Sequence, residues 1–112
     1  MISRALVAAS TKPLILSILQ DGETYGYRII KQMKDFTDGH LEWSFGMLYP
    51  VLHRLEKEEF IKSEWKMSDN GRLRKYYGLT DAGHRELERE KKQWLVIHGV
   101  FTRLWNISEA GS

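Results

Sequence analysis

Residues 44 to 79 read SFGMLYPVLHRLEKEEFIKSEWKMSDNGRLRKYYGL, and their hydrophobic period changes once. From Phe45 to Glu58 the apolar residues Leu48, Val51, Leu52 and Leu55 fall on one helical stripe, with Ser44 as N-cap. From Ile61 the period drops to two. Ile61, Trp65 and Met67 alternate with Lys62, Glu64 and Lys66, the pattern of a half-buried strand. Asp69-Asn70-Gly71 is a hairpin-turn signal. Arg72 to Leu79 then return, with Lys75, Tyr77 and Leu79 on one face and Arg72, Arg74 and Tyr76 on the other.

Two helical stretches precede this segment. Residues 4 to 20 are apolar and contain Pro13, which a helix tolerates in its first turn but not in its interior. The main helix is therefore expected to begin near Thr11, burying Leu14, Ile15, Ile18 and Leu19, with Arg4 to Ser10 as a separate helical arm. Asp21-Gly22 ends it. A second helix is expected from Tyr25 to Asp35 with Thr24 as N-cap, and Gly26, Ile29, Ile30 and Met33 as its buried face. After the hairpin, Thr80 caps a long helix reaching about Trp105, with Asp81 in its first turn. The fold class is mainly α. Residues 1–80 form a winged helix-turn-helix of three helices and a two-stranded wing, with 1–10 as a candidate dimer arm. Residues 81–112 form one long C-terminal dimerisation helix in the same compact unit.

Composition limits the function classes. A chain of 112 residues suits one small domain, whose modest core makes oligomerisation expected. It has no cysteine, which excludes disulfides, thiolate metal sites and a cysteine nucleophile. It has no apolar run of membrane-spanning length and no secretion signal, so a cytoplasmic location is expected. Net charge is only +2, but five cations stand against two acids between Phe60 and Leu79. A concentrated basic element matters more to a polyanion than the average over the chain.

Three helices and a basic hairpin imply DNA contact, the third helix entering the major groove and the wing reaching the flanking backbone. At roughly 100° per residue, the face of that helix opposite its apolar stripe carries Gly46, Pro50, His53 and Lys57, with Tyr49 and Arg54 on its flanks and no acid. His53, Tyr49 and Lys57 are the candidates at base edges. Ser44 and Gly46 mark the helix N-terminus, where N–H groups can approach phosphate. Tyr25, Lys62, Arg72, Arg74 and Lys75 are the candidate phosphate contacts, since arginine forks match phosphate oxygens. A proline inside a helix costs about 3 kcal/mol, so Pro50 is expected to bend the helix or delay its regular start. The alternative, a winged helix serving as a protein-interaction module, remains open at this point.

Three motifs then carry a family resemblance. They are Tyr25-Gly26-Tyr27-Arg28-Ile29-Ile30, the run Phe45-Gly46-Met47-Leu48-Tyr49-Pro50-Val51-Leu52-His53-Arg54-Leu55-Glu56-Lys57-Glu58, and Asn70-Gly71-Arg72-Leu73-Arg74-Lys75-Tyr76-Tyr77-Gly78-Leu79-Thr80-Asp81-Ala82-Gly83. In order and register they resemble the G-Y-x-I, G-x-L-Y-P-x-L-x-R-L-E-K-E and G-R-x-R-K-Y-Y-x-L-T-x-x-G patterns of the PadR family of bacterial transcriptional regulators, in its compact subfamily with a single C-terminal helix. The resemblance implies a homodimer joined by the first and last helices, a roughly palindromic double-stranded operator, and repression relieved by a small ligand. Three positions depart from the pattern, one of them Pro13, which is expected to alter the dimer arm. Met47 stands where the family often has threonine, and Glu59 where it usually has glycine to end the third helix.

The last helix carries Leu87, Lys91, Trp94, His98, Phe101 and Trp105 at a/d spacing, widened by Ile97 and Leu104. Such a stripe needs burial, and a dimer seam provides it. The expected interface residues are Leu6, Leu14, Ile18, Leu87, Trp94, Phe101 and Trp105. The resemblance further implies that a planar aromatic molecule could sit at this seam, with Trp94 stacking on it and Ile97, His98 and Phe101 around it. Gly99 marks a candidate kink or close approach. No two histidines on one element have i, i+4 spacing, and no nucleophile motif or phosphate loop is present, so no metal, cofactor or enzymatic activity is expected.

Overall fold

The computed structural model describes residues 2–107; Met1 and residues 108–112, the ends of the two expected regions, lie outside the described residues. Helix α1 spans Arg4–Leu19, strand β1 Thr24–Tyr25, helix α2 Gly26–Phe36, helix α3 Phe45–Lys57, strands β2 Ile61–Met67 and β3 Leu73–Leu79, and helix α4 Asp81–Leu104. The strands form an antiparallel sheet in the order β1-β3-β2. Ile15, Leu16 and Leu19 of α1, Ile29 of α2, Leu48, Leu52 and Leu55 of α3, Ile61 of β2 and Leu87 of α4 are the largest fully buried side chains among the described residues. Each contributes about 1.5–3 kcal/mol by leaving water.

Both internal prolines sit in unbroken helices. The break expected before Thr11 is absent, and α1 is one helix capped by Ser3, whose side chain accepts from Leu6 N. The missing N–H of Pro13 would have paired with Ala9, and Ala9 is exposed, so water can take that carbonyl. Likewise α3 starts at Phe45 without delay, and the carbonyl that Pro50 leaves unpaired belongs to exposed Gly46.

Thr24 is not the N-cap of α2. It lies in β1, paired with Tyr77, while Tyr25 occupies the cap without a side-chain bond. This short strand ties the start of α2 to the base of the wing. Between α2 and α3, Leu41 and Trp43 fold back into the core, where the sequence pattern alone assigns them no role. The chain reverses at Asp38 and Gly39, with φ of 51° and 81°.

The turn after α3 is a Schellman arrangement built on a non-glycine residue. Phe60 N donates to Leu55 O at 3.0 Å and Glu59 N to Glu56 O at 3.0 Å, with Glu59 at φ 66°. A left-handed L-residue costs about 1 kcal/mol that glycine avoids. Glu59→Gly is therefore expected to stabilise the fold by about 1 kcal/mol, raising the midpoint of thermal unfolding by about 4 °C. An unchanged or lower midpoint would count against this reading of the turn.

Helix α4 begins where expected, with the Thr80 hydroxyl accepting from Gly83 N at 3.0 Å. Its first half packs on α1. Lys12 pairs with Glu86, reaches Glu90 at 3.6 Å and lies over the Phe60 ring. The ammonium of Lys12, reinforced by Arg89, holds the Glu86 carboxyl below its ordinary range. Leu87, expected at the seam, is 1% exposed and belongs to the chain's own core, because this half of α4 is already covered by α1. The second half is left uncovered by the described residues. Helix α4 runs through Gly99 without a break, and nothing lies within 4 Å of the space beside that residue. No helix among the described residues is long and apolar enough to cross a membrane.

Candidate nucleic-acid interface

The recognition surface starts from the phase of α3. Burial of Leu48, Leu52 and Leu55 turns Gly46, Pro50, His53 and Lys57 to solvent together, and all four are exposed. Ser44 Oγ accepts from Met47 N at 3.1 Å, so its hydroxyl holds the helix start. Tyr49 stacks on Phe45 with ring centres 5.5 Å apart, and its hydroxyl is turned toward Gly26. A Cβ at Gly26 would lie 3.1 Å from that oxygen, so glycine there permits the close approach of α2 to α3. Glu56 faces the wing, where it accepts from Ser63 Oγ at 2.5 Å.

The wing base closes against this helix. Tyr49, Pro50, His53 and Glu56 of α3 and Trp65, Lys75 and Tyr77 of the sheet line a shallow cleft of about 540 Å³. Tyr77 is buried there, and burial beside Tyr49 and Glu56 pushes its phenol up to about 12, so it stays neutral. Trp65 and Met67 are exposed rather than half-buried as the alternation suggested, because α3 covers the hairpin only as far as its base.

The wing cations divide into two groups. Lys62 and Arg72 are exposed, and Lys75 is half-buried opposite Trp65. Arg72 belongs to the turn, not the strand as expected, since the ladder closes at Met67 and Leu73. Lys66 pairs with Glu23 and lies over Tyr76, which removes it from the free positive charge of the wing. The Arg74 guanidinium lies 4.4 Å from the centre of the Tyr25 ring, and its buried Nε has no hydrogen-bond partner among the described residues. Tyr25 meets Tyr76 edge-on at 5.3 Å and has Arg28 on its ring as well. Arg72 and Arg74 therefore stand in different surroundings, one free and one packed on an aromatic cluster at the start of α2. The β1 pairing that assembles this cluster had no periodic signal by which to find it.

The expected seam residues are half-buried or exposed apart from Leu87. Leu14 and Ile18 are half-buried on α1, and Leu6 is exposed. Trp94, Ile97, Phe101 and Trp105 stand open on α4, the last two stacked with centres 4.6 Å apart. Trp94, Ile97, His98, Phe101, Thr102, Trp105 and Ile107 border an apolar hollow of about 310 Å³.

A helix-turn-helix with an acid-free outer face, joined to a basic two-stranded wing, defines a winged-helix DNA-binding regulator. The chain belongs to the PadR-like family of transcriptional regulators, whose family model matches residues 15–89. That family is one of regulators and not of enzymes, and membership favours DNA binding over the interaction-module alternative. The chain is 32% identical over 87 residues to the negative transcriptional regulator PadR of Bacillus subtilis, covering 78% of this chain and 46% of that protein. It thus spans about half the length of that relative. It is 33% identical over 89 residues to the transcriptional regulator Rv3488 of Mycobacterium tuberculosis, covering 80% and 79%. Among solved structures, a PadR-like transcriptional regulator of Bacillus cereus superposes with a TM-score of 0.83 at 30% identity, covering 93% of this chain and 99% of that one.

Proposed function

We propose that this regulator is a cytoplasmic homodimeric repressor. Each α3 reads one half-site of a palindromic operator in the major groove, and Tyr25 and the wing hold the flanking phosphates. The reading rests on one observation: Gly46, Pro50, His53 and Lys57 are exposed together on a face without an acid, and Lys62 and Arg72 are exposed on the wing. His53, Tyr49 and Lys57 meet base edges, while Lys62, Arg72, Arg74 and Lys75 meet phosphates. Residues 1–80 carry the DNA contacts and 81–112 the dimer contacts, to which α1 adds Leu6, Leu14 and Ile18. Two-fold symmetry sets the half-sites about 34–36 Å apart or a multiple of that.

Duplex binding should weaken linearly in log–log form with salt, by about 0.9 per phosphate neutralised. Arg72→Ala is expected to lower that slope by about one while leaving thermal stability unchanged. Arg74→Ala should lower both, since Arg74 also packs on Tyr25. Salt-independent failure to bind any duplex would overturn the reading.

The hollow beside Trp94 is the proposed site of a planar aromatic inducer. Such a molecule switches the repressor only if it binds one dimer geometry better than another. Tryptophan fluorescence should be quenched by planar aromatic compounds in the parent protein and much less in Trp94→Ala. Equal quenching in the two would remove Trp94 from this role.

A further inference from the structure

The tip of the wing carries large apolar side chains left exposed by the described residues. Trp65 is 62%, Met67 66% and Leu73 62% exposed. Register places Met67 directly opposite Leu73, with Trp65 opposite Lys75 on the rungs below. Side chains two apart on a strand share a face. Met67 and Leu73 therefore extend the surface that Trp65, Lys75 and Tyr77 share with Tyr49, Pro50 and His53 of α3. What covers the outer face of α3 meets this tip next.

The tip is also pre-organised. Ser68 N donates to Arg72 O at 2.7 Å and Gly71 N to Ser68 O at 2.9 Å, while Asn70 Oδ1 accepts from Ser68 Oγ and from Arg72 N. Gly71 takes the left-handed φ of 79° that closes the turn. A braced tip can push side chains into a partner without paying for its own ordering. Arg72 stands free at its side and Lys75 behind it, with Asp69 on the turn.

We propose that Met67 and Leu73 form an apolar wedge that enters the DNA minor groove flanking each half-site and bends the duplex there. This rests on the DNA-binding reading above and deepens it. Apolar wedges between base steps unstack them and kink the duplex. One or two side chains suit a groove about 6 Å wide. The same pair falls far short of the roughly 800 Å² per partner that a stable protein interface takes. A second copy of this chain has a larger apolar surface available on α4. Arg72 beside the wedge adds attraction to a narrow minor groove.

The test uses the full chain and a duplex enriched by it from a random pool, end-labelled for energy transfer, with 2-aminopurine at steps flanking the protected region. Wild type is expected to shorten the end-to-end distance and to brighten 2-aminopurine at a flanking step. Met67→Ser with Leu73→Ser should abolish both and weaken binding about tenfold with an unchanged salt slope, since no phosphate contact is lost. The swapped pair Met67→Leu with Leu73→Met keeps the apolar volume and should retain the bend. Wild-type binding without bend or brightening would overturn the wedge alone, whatever the variants do, and so would a folded serine pair that bends DNA as wild type does. Absence of any salt-dependent binding would overturn the DNA reading and the wedge with it.

Discussion

Replacing Gly83 by alanine is expected to destabilise the protein by about 3 kcal/mol or more, lowering the midpoint of thermal unfolding by about 12 °C or more. A Cβ at this position would stand 1.9 Å from the Phe60 carbonyl oxygen, 3.0 Å from its carbon and 3.2 Å from Leu79 Cδ2. The obstacle is backbone, so no rotamer change relieves it. Nor can the backbone withdraw freely. Phe60 O accepts from Thr80 N at 3.1 Å, and Thr80 Oγ1 donates to Glu59 O at 2.6 Å while accepting from Gly83 N. Those bonds join the end of α3, the base of the wing and the start of α4 at one point. Separating α4 from Phe60 would break the N-cap of α4 and disturb the turn that positions the recognition helix. The variant should therefore lose DNA affinity at a temperature where it is still mostly folded. A thermal midpoint within about 2 °C of wild type would show that the junction yields more cheaply than close-packed backbone does.

The helix register and the hairpin were legible because their periods are strong. Leu48, Leu52 and Leu55 fix the outward face of α3 without any tertiary information, and Asn70-Gly71 fixes the turn. What escaped was set by contacts between elements. Strand β1 is two residues long, too short for any period, and exists because Thr24 finds Tyr77. Its existence converts Tyr25 from a helix residue into the aromatic seat of Arg74. The alternation of Ile61, Trp65 and Met67 marks a strand but misplaces Trp65 and Met67, since period reveals which residues share a face and not how far a neighbouring helix extends. Pro13 is expected to break its helix and Pro50 to bend or delay its own, yet α1 is unbroken and α3 starts at Phe45, because each proline leaves its unpaired carbonyl on an exposed residue, where water replaces the lost bond. Leu87 and Trp94 share one stripe in sequence, and only the reach of α1 separates core from open surface.

That division of α4 sets the other large expected effect. Ile97→Asp combined with Phe101→Asp should convert the protein to a monomer and weaken operator binding by about a hundredfold or more, the range lost when two linked contacts become one. From residue 92 to 107 every described side chain is exposed or half-exposed, and the molecule measures 50 Å along an axis against 29 and 27 Å across. Among the described residues nothing covers the apolar side of this second half of α4. Its exposed apolar surface, with Trp94, Ile97, Phe101, Leu104 and Trp105 together, is the kind that soluble monomers rarely present. Two carboxylates at its centre would have to be desolvated in any dimer, which costs several kcal/mol per unpaired charge. The core from Ile15 to Leu87 lies away from the change, so the monomer should still unfold cooperatively. Wild type should instead show a midpoint that rises with protein concentration, because dimerisation stabilises by mass action. Sedimentation equilibrium separates the outcomes. A variant that remains dimeric would move the interface off α4, and a monomer that binds the operator as tightly as wild type would mean that the two half-sites are read independently.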